Sequence, residues 1–413
     1  MASAEHGKKL RVLIVPFFAT SHIGPHTDLA VRHAGYRRAY GGGHPSQRVR
    51  RSVRARAARP VRSEYRRQDS HLPVPGHDRS AARAGGAHQG AVPFFWNATI
   101  ADEVGVPCIT ISVVGLFSRL AMRHLRGAVE GDSDCQEVIV PGFPGPEIRI
   151  PRTELPEFLR CQAKHDRFGG PIMAGQARCF GLAVNTFSRA YFVGPVSLPL
   201  PPAGASGEGE ASCISWLGSM PRYSVVYVCF GTYASISNDQ LVELALGLEA
   251  SGKPFLWALR AEGWAPPAGW EERVGKRACL SGEILAHPAV GAFLTHCGSS
   301  SLLEAAAAGV PMLTWPLVFD QFIEERLVTD VLKIGERVWD GPRSMRYEEQ
   351  QMVPAAAVAR AIARFLEPGG TGKAARGRAQ ELAVKAHAAV AEGGSSYNDL
   401  HRLITNLMET RKI

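Results

Sequence analysis

The sequence predicts an α/β fold of two doubly wound domains, each built on a parallel sheet. Short apolar runs without polar alternation recur along the chain, which is typical of strands buried on both faces. In the second half these runs alternate with helical patterns, as they do in parallel sheets. Residues 195–212 are rich in Pro, Gly and Ser, so we expect a linker there between domains at residues 1–194 and 213–413.

The N-terminal half carries strand and helix patterns on both sides of one abnormal stretch. Its predicted elements are a strand at Leu10–Phe18, a helix at Pro25–His33, a helix at Phe94–Val104, and strands at Cys108–Val114 and Phe180–Phe187. The strands are apolar runs, and Pro25 suits the first turn of a helix because an N–H there would have no partner. These patterns indicate one α/β domain.

Residues 37–92 do not have the composition of a folded domain. They contain thirteen arginines, no lysine, three acidic residues and a single leucine. The net charge of the chain is +9, and this stretch accounts for it, since the remainder is close to neutral. Such a segment buries too little apolar surface to offset the entropy of ordering, so we expect disorder. Its composition is typical of GC-rich DNA translated in a shifted frame, whereas basic nucleic-acid arms normally lie at chain ends.

The C-terminal half carries a regular series of strands and helices. The series comprises strand Ser224–Phe230, helix Asn238–Ser251, strands Phe255–Leu259 and Ala289–Thr295, helix Leu302–Ala308, strand Val310–Trp315 and an amphipathic helix at Leu400–Ile413. The order of these elements predicts a second doubly wound sheet.

The turn after the strand that ends at Thr295 is the strongest functional signal. His296 is followed by Cys, Gly and three serines, which are small residues where a helix must begin, and Gly309 is placed to end that helix. Free N–H groups and a partial positive charge at a helix start bind anions. Asp320 and Gln321 follow the carboxyl end of the next strand, where open α/β sheets place ligands. The pattern predicts a pyrophosphate site with sugar-hydroxyl partners beside it.

The segment Ala278–Gln321 resembles the signature box of the plant family 1 UDP-glycosyltransferases, which act on secondary products. The residues that match the box are His296, Ser301, Glu304, Asp320 and Gln321. The resemblance implies that His296 and the serines hold the donor diphosphate, that Glu304 holds the ribose hydroxyls, and that the closing Asp-Gln pair holds the sugar.

Two departures from that box concern nucleotide contacts. The family opens its box with Trp-Ala-Pro-Gln, whose Trp stacks on uracil, and here those positions read Ala278-Cys-Leu-Ser281. The Trp-Asn that follows the glycine in the family is Ser299-Ser300 here. We therefore expect nucleotide binding to be weaker than in an intact relative.

The resemblance also implies the GT-B fold, in which two Rossmann-like domains face a cleft and the C-terminal domain binds the UDP-sugar. The expected donor-binding residues are Thr232, His296, Gly298, Ser299, Ser300, Ser301, Glu304, Asp320 and Gln321. Relatives use a histidine after the first strand as the base toward the acceptor hydroxyl, and His22 is its match. A neutral imidazole can accept a proton near physiological pH.

The aspartate that supports this histidine in relatives has no match before the aromatic run Phe94–Trp96. Asp78 lies inside the abnormal stretch, and Asp102 lies beyond the run, where we expect a helix surface. An unsupported histidine loses its oriented tautomer, and the loss of a comparable carboxylate can slow catalysis ~10⁴-fold.

Composition restricts the partners that we expect. We expect no signal peptide, because the apolar run at Arg11–Phe18 is too short for a secretory core, and no run reaches the ~18 apolar residues of a membrane span. Eight cysteines without a CxxC pair are typical of thiols in a reducing compartment. We expect a cytoplasmic monomer that binds a UDP-sugar as co-substrate and a small acceptor, without a membrane or nucleic acid. No metal or other cofactor is expected, because a helix start can hold the charge of the leaving diphosphate.

Two functions are consistent with these patterns. The first is an inverting, metal-independent transfer of a sugar, with glucose as the default, from a UDP-sugar to a hydroxyl of a small lipophilic acceptor such as a flavonoid. The second is a non-catalytic remnant of a glycosyltransferase with weakened nucleotide binding. The missing aspartate and the stretch at 37–92 indicate that activity is impaired. A nucleic-acid-binding protein, based on the arginines alone, is a remote third hypothesis.

Overall fold

The computed structural model describes residues 97–103, 105–112, 114–129, 136–143, 145–160, 170–186, 191–192, 194–195, 208–231, 236–259, 264–275 and 285–410. By its contacts the chain divides into two compact units, Met1–Phe94 and Phe95–Ile413. All described residues belong to the second unit, and the structural statements below concern them. The linker predicted at 195–212 falls inside that unit, and the domain division there remains a prediction.

Three of the sequence predictions lie outside the described residues. They are the strand at Leu10–Phe18, the helix at Pro25–His33 and the disordered stretch at 37–92.

The part of the chain before the predicted linker contains a small parallel sheet. Its described elements are α1 (Asn97–Glu103), β1 (Ile109–Ser112), α2 (Leu116–Val129), β2 (Glu137–Ile139), β3 (Arg149–Pro151), α3 (Glu157–Arg160), α4 (Gly170–Ala177), β4 (Gly181–Val184) and β5 (Tyr191–Phe192). The strand order is β1–β4–β5, and Ile109 pairs with Gly181. Strands β1 and β4 lie within the apolar runs that predicted them. Strands β2 and β3 form a separate antiparallel pair.

The part after the predicted linker contains a five-stranded parallel sheet in the order β10–β9–β8–β6–β7. Its elements are α5 (Glu208–Gly218), β6 (Val225–Cys229), α6 (Asn238–Ala250), β7 (Phe255–Ala258), α7 (Trp270–Val274), β8 (Val290–Thr295), α8 (Ser299–Ala308), β9 (Met312–Thr314), α9 (Gln321–Arg326), β10 (Gly335–Arg337), α10 (Ala355–Phe365), α11 (Thr371–Val390) and α12 (Ser395–Thr410). The alternation of strands and helices confirms the predicted α/β class.

Both faces of the larger sheet are covered by helices. Val226 and Val228 of β6 pack with α6 and α10 in one apolar core, whereas Val225 and Tyr227 pack with α8 and α11 in the other. Successive strand residues point to opposite faces, so a strand covered on both sides needs apolar residues at every position. This explains why the strand runs show no polar alternation.

Helix α8 begins earlier than predicted. Apolar spacing placed its start at Leu302, whereas the helix runs from Ser299 to Ala308. The backbone is still extended at Gly298, which sets the first helical residue at 299. Gly309, with φ +68°, ends the helix in the left-handed conformation as predicted.

Helix α5 occupies part of the predicted linker. Residues 208–212 lie in its first turns, although Gly and Ser are weak helix formers. Leu217 is fully buried in the core on the α8 side of the sheet, and Trp216 packs against it. Tertiary burial of the apolar end therefore offsets the low helix propensity of the start.

The cysteines only partly match the prediction of free thiols. Cys108, Cys179, Cys229 and Cys297 are free. Cys213 is disulfide-bonded, so the prediction is wrong at that position.

A buried network of charged groups joins the segment after β3 to α9. Arg326, which is 3 % exposed, lies 2.5 Å from Glu154 and 3.0 Å from Glu325. Arg343 bonds the same two carboxylates at 2.9 and 2.8 Å, and Arg337 contacts Glu325 at 3.1 Å. Shared partners neutralise the buried charges, which makes this network a fixed connection between the two parts of the unit.

Helix α12 confirms the amphipathic pattern predicted at the C-terminus. It buries Leu403, Ile404 and Leu407 on one side. Within the described ranges, the helices lack the combination of length and apolar character needed to cross a membrane.

Candidate functional site

The carboxyl ends of β6 and β8 meet where the strand order of the larger sheet reverses. From β6 the chain moves to β7 on one side and then returns to β8 on the other. Open α/β sheets bind ligands at such a switch point. Cys229 pairs with Thr295 in the register, so Gly231 and His296 emerge together at this edge.

The imidazole of His296 lies between two glycine backbones. A Cβ atom on Gly231 would lie 2.7 Å from Cε1 and Nε2 of the ring, and one on Gly298 would lie 2.5 Å from Nε2. A side chain at either position would therefore displace the ring. Gly231 also has a φ of +69°, which favours glycine.

His296 is held in its neutral form. It is 8 % exposed, and burial lowers the pKa of its imidazole to about 4. Near pH 7 the ring therefore carries one N–H donor and no charge. The backbone carbonyl of Cys229 accepts a hydrogen bond from this ring, so a phosphate oxygen would compete with that carbonyl for the single N–H.

Helix α8 begins directly beyond this ring. Gly298 is extended (φ −66°, ψ 133°), and no side chain caps the helix. The N–H of Leu302 bonds to the carbonyl of Gly298, so three serine N–H groups, at 299 to 301, precede the first intrahelical bond. These N–H groups and the helix dipole favour an anion here.

The Ser299 hydroxyl, predicted to contact the donor, already has protein partners. It accepts from the N–H of Gly115 at 2.9 Å and lies 3.3 Å from Oε1 of Glu324, to which it donates. The contribution of Ser299 to anion binding therefore falls to its backbone. Ser300 and Ser301 are half-buried.

Glu304 lies on the face of α8 that carries Ser300 and Ser301. It is half-buried, and residues three and four apart on a helix share a face. The structure therefore brings Glu304 and these two serines to one side of the helix.

Asp320 and Gln321 lie at the start of α9. Burial raises the pKa of Asp320 to about 6. The amide oxygen of Gln321 accepts from the N–H groups of Leu317 and Val318, at 2.9 and 3.0 Å. Gln321 thus stabilises the loop after β9 through its amide oxygen, and its NH₂ group takes no part in these two bonds.

Sequence reasoning missed Glu324, which the structure places at the same location. This side chain is 2 % exposed, and its carboxyl faces the start of α8. The one sequence signal was an adjacent acidic pair, Glu324 and Glu325, a few residues after Asp320 and Gln321.

Several predicted residues lie outside the described ranges, namely His22, Thr232 and the segment from Ala278 to Ser281. Asp102 lies exposed on α1 and forms an ion pair with Arg178. It is therefore the helix-surface residue that the sequence predicted. No group of three or more His, Cys, Asp or Glu suited to a metal ion occurs among the described residues.

A cavity of about 310 Å³ lies at the carboxyl ends of β9 and β10. Its walls include Trp315, Leu317 and Trp339 together with Asp239 and Arg343. Of the described donor-site residues predicted from the sequence, none lines it. The cavity is therefore separate from the predicted donor site.

Residues 213–333 match the family model described as UDP-glucoronosyl and UDP-glucosyl transferase. UDP-glycosyltransferase 73C5 of Arabidopsis thaliana is 34 % identical over 360 residues, which cover 76 % of this chain and 72 % of that protein. UDP-glycosyltransferase 73E1 of Stevia rebaudiana is 33 % identical, covering 77 % of this chain and 72 % of that protein.

Solved structures show the same relationship. Glycyrrhiza uralensis UGT73P12, complexed with glycyrrhetinic acid 3-O-monoglucuronide, is 30 % identical with a TM-score of 0.68, covering 77 % of this chain and 72 % of that chain. Phytolacca americana UGT2, complexed with UDP-2fluoro-glucose and pterostilbene, is 28 % identical with a TM-score of 0.60. The match covers 76 % of this chain and 74 % of that chain. Medicago truncatula UGT71G1, complexed with UDP-glucose, is 27 % identical with a TM-score of 0.60. The match covers 76 % of this chain and 73 % of that chain. The chain thus belongs to the UDP-glycosyltransferases, a family of sugar-transferring enzymes, and has their GT-B fold.

Proposed function

We propose that this chain transfers a sugar, with glucose as the expected one, from a UDP-sugar to a hydroxyl of a small lipophilic acceptor such as a flavonoid. The observation that carries the proposal is the position of His296 between Gly231 and Gly298, beside the start of α8. A neutral imidazole and backbone N–H groups there suit a diphosphate. The ligands named for the Medicago and Phytolacca relatives, UDP-glucose and pterostilbene, support the two substrate classes.

The proposed reaction is a single displacement at C1 of the sugar. The acceptor oxygen forms a bond to C1 as the bond to the UDP oxygen breaks, so the anomeric configuration inverts. His22 takes the proton of the acceptor hydroxyl. The N–H groups at the start of α8 and the ring of His296 hold the charge that develops on the diphosphate, without a metal ion or cofactor.

We propose further that turnover is slow. No aspartate stands in the few residues before Phe94, where relatives place the partner of the catalytic histidine, and Ala278 stands where relatives carry the uracil-stacking Trp. Loss of a base-stacking contact costs ~1–3 kcal/mol, or about 5- to 150-fold in affinity. When two defects affect separate steps, their free-energy costs roughly add.

The alternative function is a nucleotide-binding remnant without transfer. It is favoured by the bonded hydroxyl of Ser299 and by the buried carboxyl of Glu324 beside it, because both reduce the room for a diphosphate.

The test is UDP release from UDP-glucose by the full chain with a panel of flavonoid and other phenolic acceptors. We expect turnover well below the ordinary range of ~1–10³ s⁻¹, and no turnover in His22→Ala. His124→Ala, at an exposed histidine of α2, is the matched control and should keep the wild-type rate. Turnover in the ordinary range would contradict impairment, and the absence of turnover with measurable UDP binding would favour the remnant.

A further inference from the structure

A buried carboxyl group lies against the start of α8, where the proposed diphosphate binds. Oε1 of Glu324 is 3.3 Å from the hydroxyl of Ser299, the first residue of the helix. On its other side the turn before α2 covers it, since a Cβ on Gly115 would lie 2.3 Å from the same oxygen. Among the described residues, no Arg, Lys or His forms an ion pair with this carboxyl.

The groups that face Glu324 act on its charge in opposite directions. Asp320, the residue before α9, is acidic and disfavours a second negative charge, whereas hydrogen bonds from Ser299 at the start of α8 and from Ser118 on α2 favour the carboxylate. The thiol of Cys297 nearby is neutral. Burial and the charge of Asp320 outweigh the two serines. Burial, and next the charge of Asp320, raise the pKa of Glu324 to about 8. Near pH 7 the carboxyl therefore holds its proton.

We propose that Glu324 couples the binding of a nucleoside diphosphate at the start of α8 to the uptake of a proton. This inference rests on the proposed function. A diphosphate bound to the N–H groups of residues 299–301 would bring negative charge next to the Ser299 hydroxyl that contacts Glu324. Like charges in a buried site repel strongly, so the bound diphosphate and an ionised Glu324 exclude each other.

The pH dependence follows from this exclusion. Below the pKa of about 8 the carboxyl is protonated and the affinity is constant. Above it, each binding event must return one proton to Glu324, so the affinity falls by about tenfold per pH unit. Burial places the pKa of His296 near 4 and that of Asp320 near 6, so neither group titrates between pH 7.5 and 9.5, roughly the window where Glu324 does.

The experiment is calorimetric titration of the full chain with UDP from about pH 7 to 9.5, in buffers of different ionisation enthalpy. We expect wild-type affinity to fall by about tenfold from pH 8.5 to 9.5, with uptake close to one proton. Glu324→Gln, which keeps the shape without the charge, should bind UDP equally across this range and take up none. Glu367→Gln, at an exposed carboxyl after α10, is the matched control and should retain the wild-type dependence.

Affinity that is independent of pH in the wild type, or a dependence that persists in Glu324→Gln, overturns the proposal and leaves the proposed function intact. Failure of UDP to bind at any pH overturns both. If Glu324→Gln does not fold, the proton uptake of the wild type decides by itself: uptake close to one proton supports the proposal, and no uptake overturns it.

Discussion

Gly231 and Gly298 are the residues on which the position of His296 depends. Gly231 combines a positive φ with a contact to the ring, whereas Gly298 has an ordinary φ and only the contact. Alanine variants at the two positions therefore distinguish the effect of backbone strain from the effect of lost space beside the ring.

Gly298→Ala should weaken UDP binding by at least about tenfold, because the added methyl group displaces the imidazole that holds the diphosphate. Gly231→Ala should do the same. Calorimetry with UDP measures both. Gly252→Ala is the control for Gly231, since Gly252 has a φ of +64° with open space around it, and it should leave UDP affinity unchanged. Equal losses in Gly231→Ala and Gly252→Ala would show that strain, and not the ring contact, is responsible.

Glu324→Gln should also change how stability depends on pH. Burial raises the pKa of Glu324 from 4.5 to about 8 in the folded state. Between these values the unfolded chain releases a proton that the folded chain keeps, so wild-type stability falls as pH rises through this window. Each pKa unit corresponds to about 1.4 kcal/mol. The free energy of unfolding of Glu324→Gln, measured by urea denaturation, should therefore rise relative to that of the wild type by a few kcal/mol between about pH 5 and 8. A constant difference between the two proteins would contradict the buried, protonated state.

The sequence predicted His296 and the serines but not the environment that surrounds them. A histidine followed by small residues marks a helix start whatever the rest of the fold does. The contacts of Ser299 with Gly115 and Glu324 join residues 184 and 25 positions apart in the chain. Only tertiary structure brings such groups together, so the bonded hydroxyl and the buried carboxyl could not be predicted.

At the scale of elements, the buried charges around Arg326 fix α9 to the segment after β3. Arg326 contacts Glu154 and Glu325, and the two carboxylates share Arg343 as well. Since α9 carries Glu324 and begins at Gln321, this network also sets the position of one wall of the candidate site.

Arg326→Met should lower the free energy of unfolding by about 1.5–3 kcal/mol, because it removes a buried charge-assisted contact to each of Glu154 and Glu325, which keep Arg343 as a partner. Urea unfolding measures the change. The control is Arg402→Met, which breaks an exposed pair with Asp399 on α12 and should cost less than about 1 kcal/mol. A similar small cost for both variants would show that the network does not stabilise this wall.

Continuous apolar runs predicted the strands of the larger sheet well, whereas apolar spacing predicted the helix boundaries less well. Strands β6, β7 and β8 differ from their predicted ranges by a residue at one or both ends. Helix α8 was misplaced because serines at its start have no apolar spacing, and α5 was missed because Gly and Ser obscured a helix that tertiary burial stabilises. The strand order, which creates the switch point between β6 and β8, follows from pairing and not from local sequence.

At the scale of the whole molecule, the chain combines a donor-site half that follows the family pattern with departures at several family positions. The matched range 213–333 contains the complete set of donor residues predicted from the sequence. The catalytic prediction, by contrast, depends on His22 and on an aspartate that has no counterpart before Phe94. We therefore expect nucleotide binding to persist where transfer is slow.

A calorimetric titration of the full chain with UDP at about pH 7, where Glu324 holds its proton, decides whether the nucleotide binds at the start of α8. We expect saturable binding that His296→Ala and Glu304→Ala each weaken by about tenfold or more. His401→Ala, at a histidine of α12, is the matched control and should bind as the wild type does. UDP affinity that is measurable and unchanged in both His296→Ala and Glu304→Ala would contradict the assignment of the nucleotide to the start of α8.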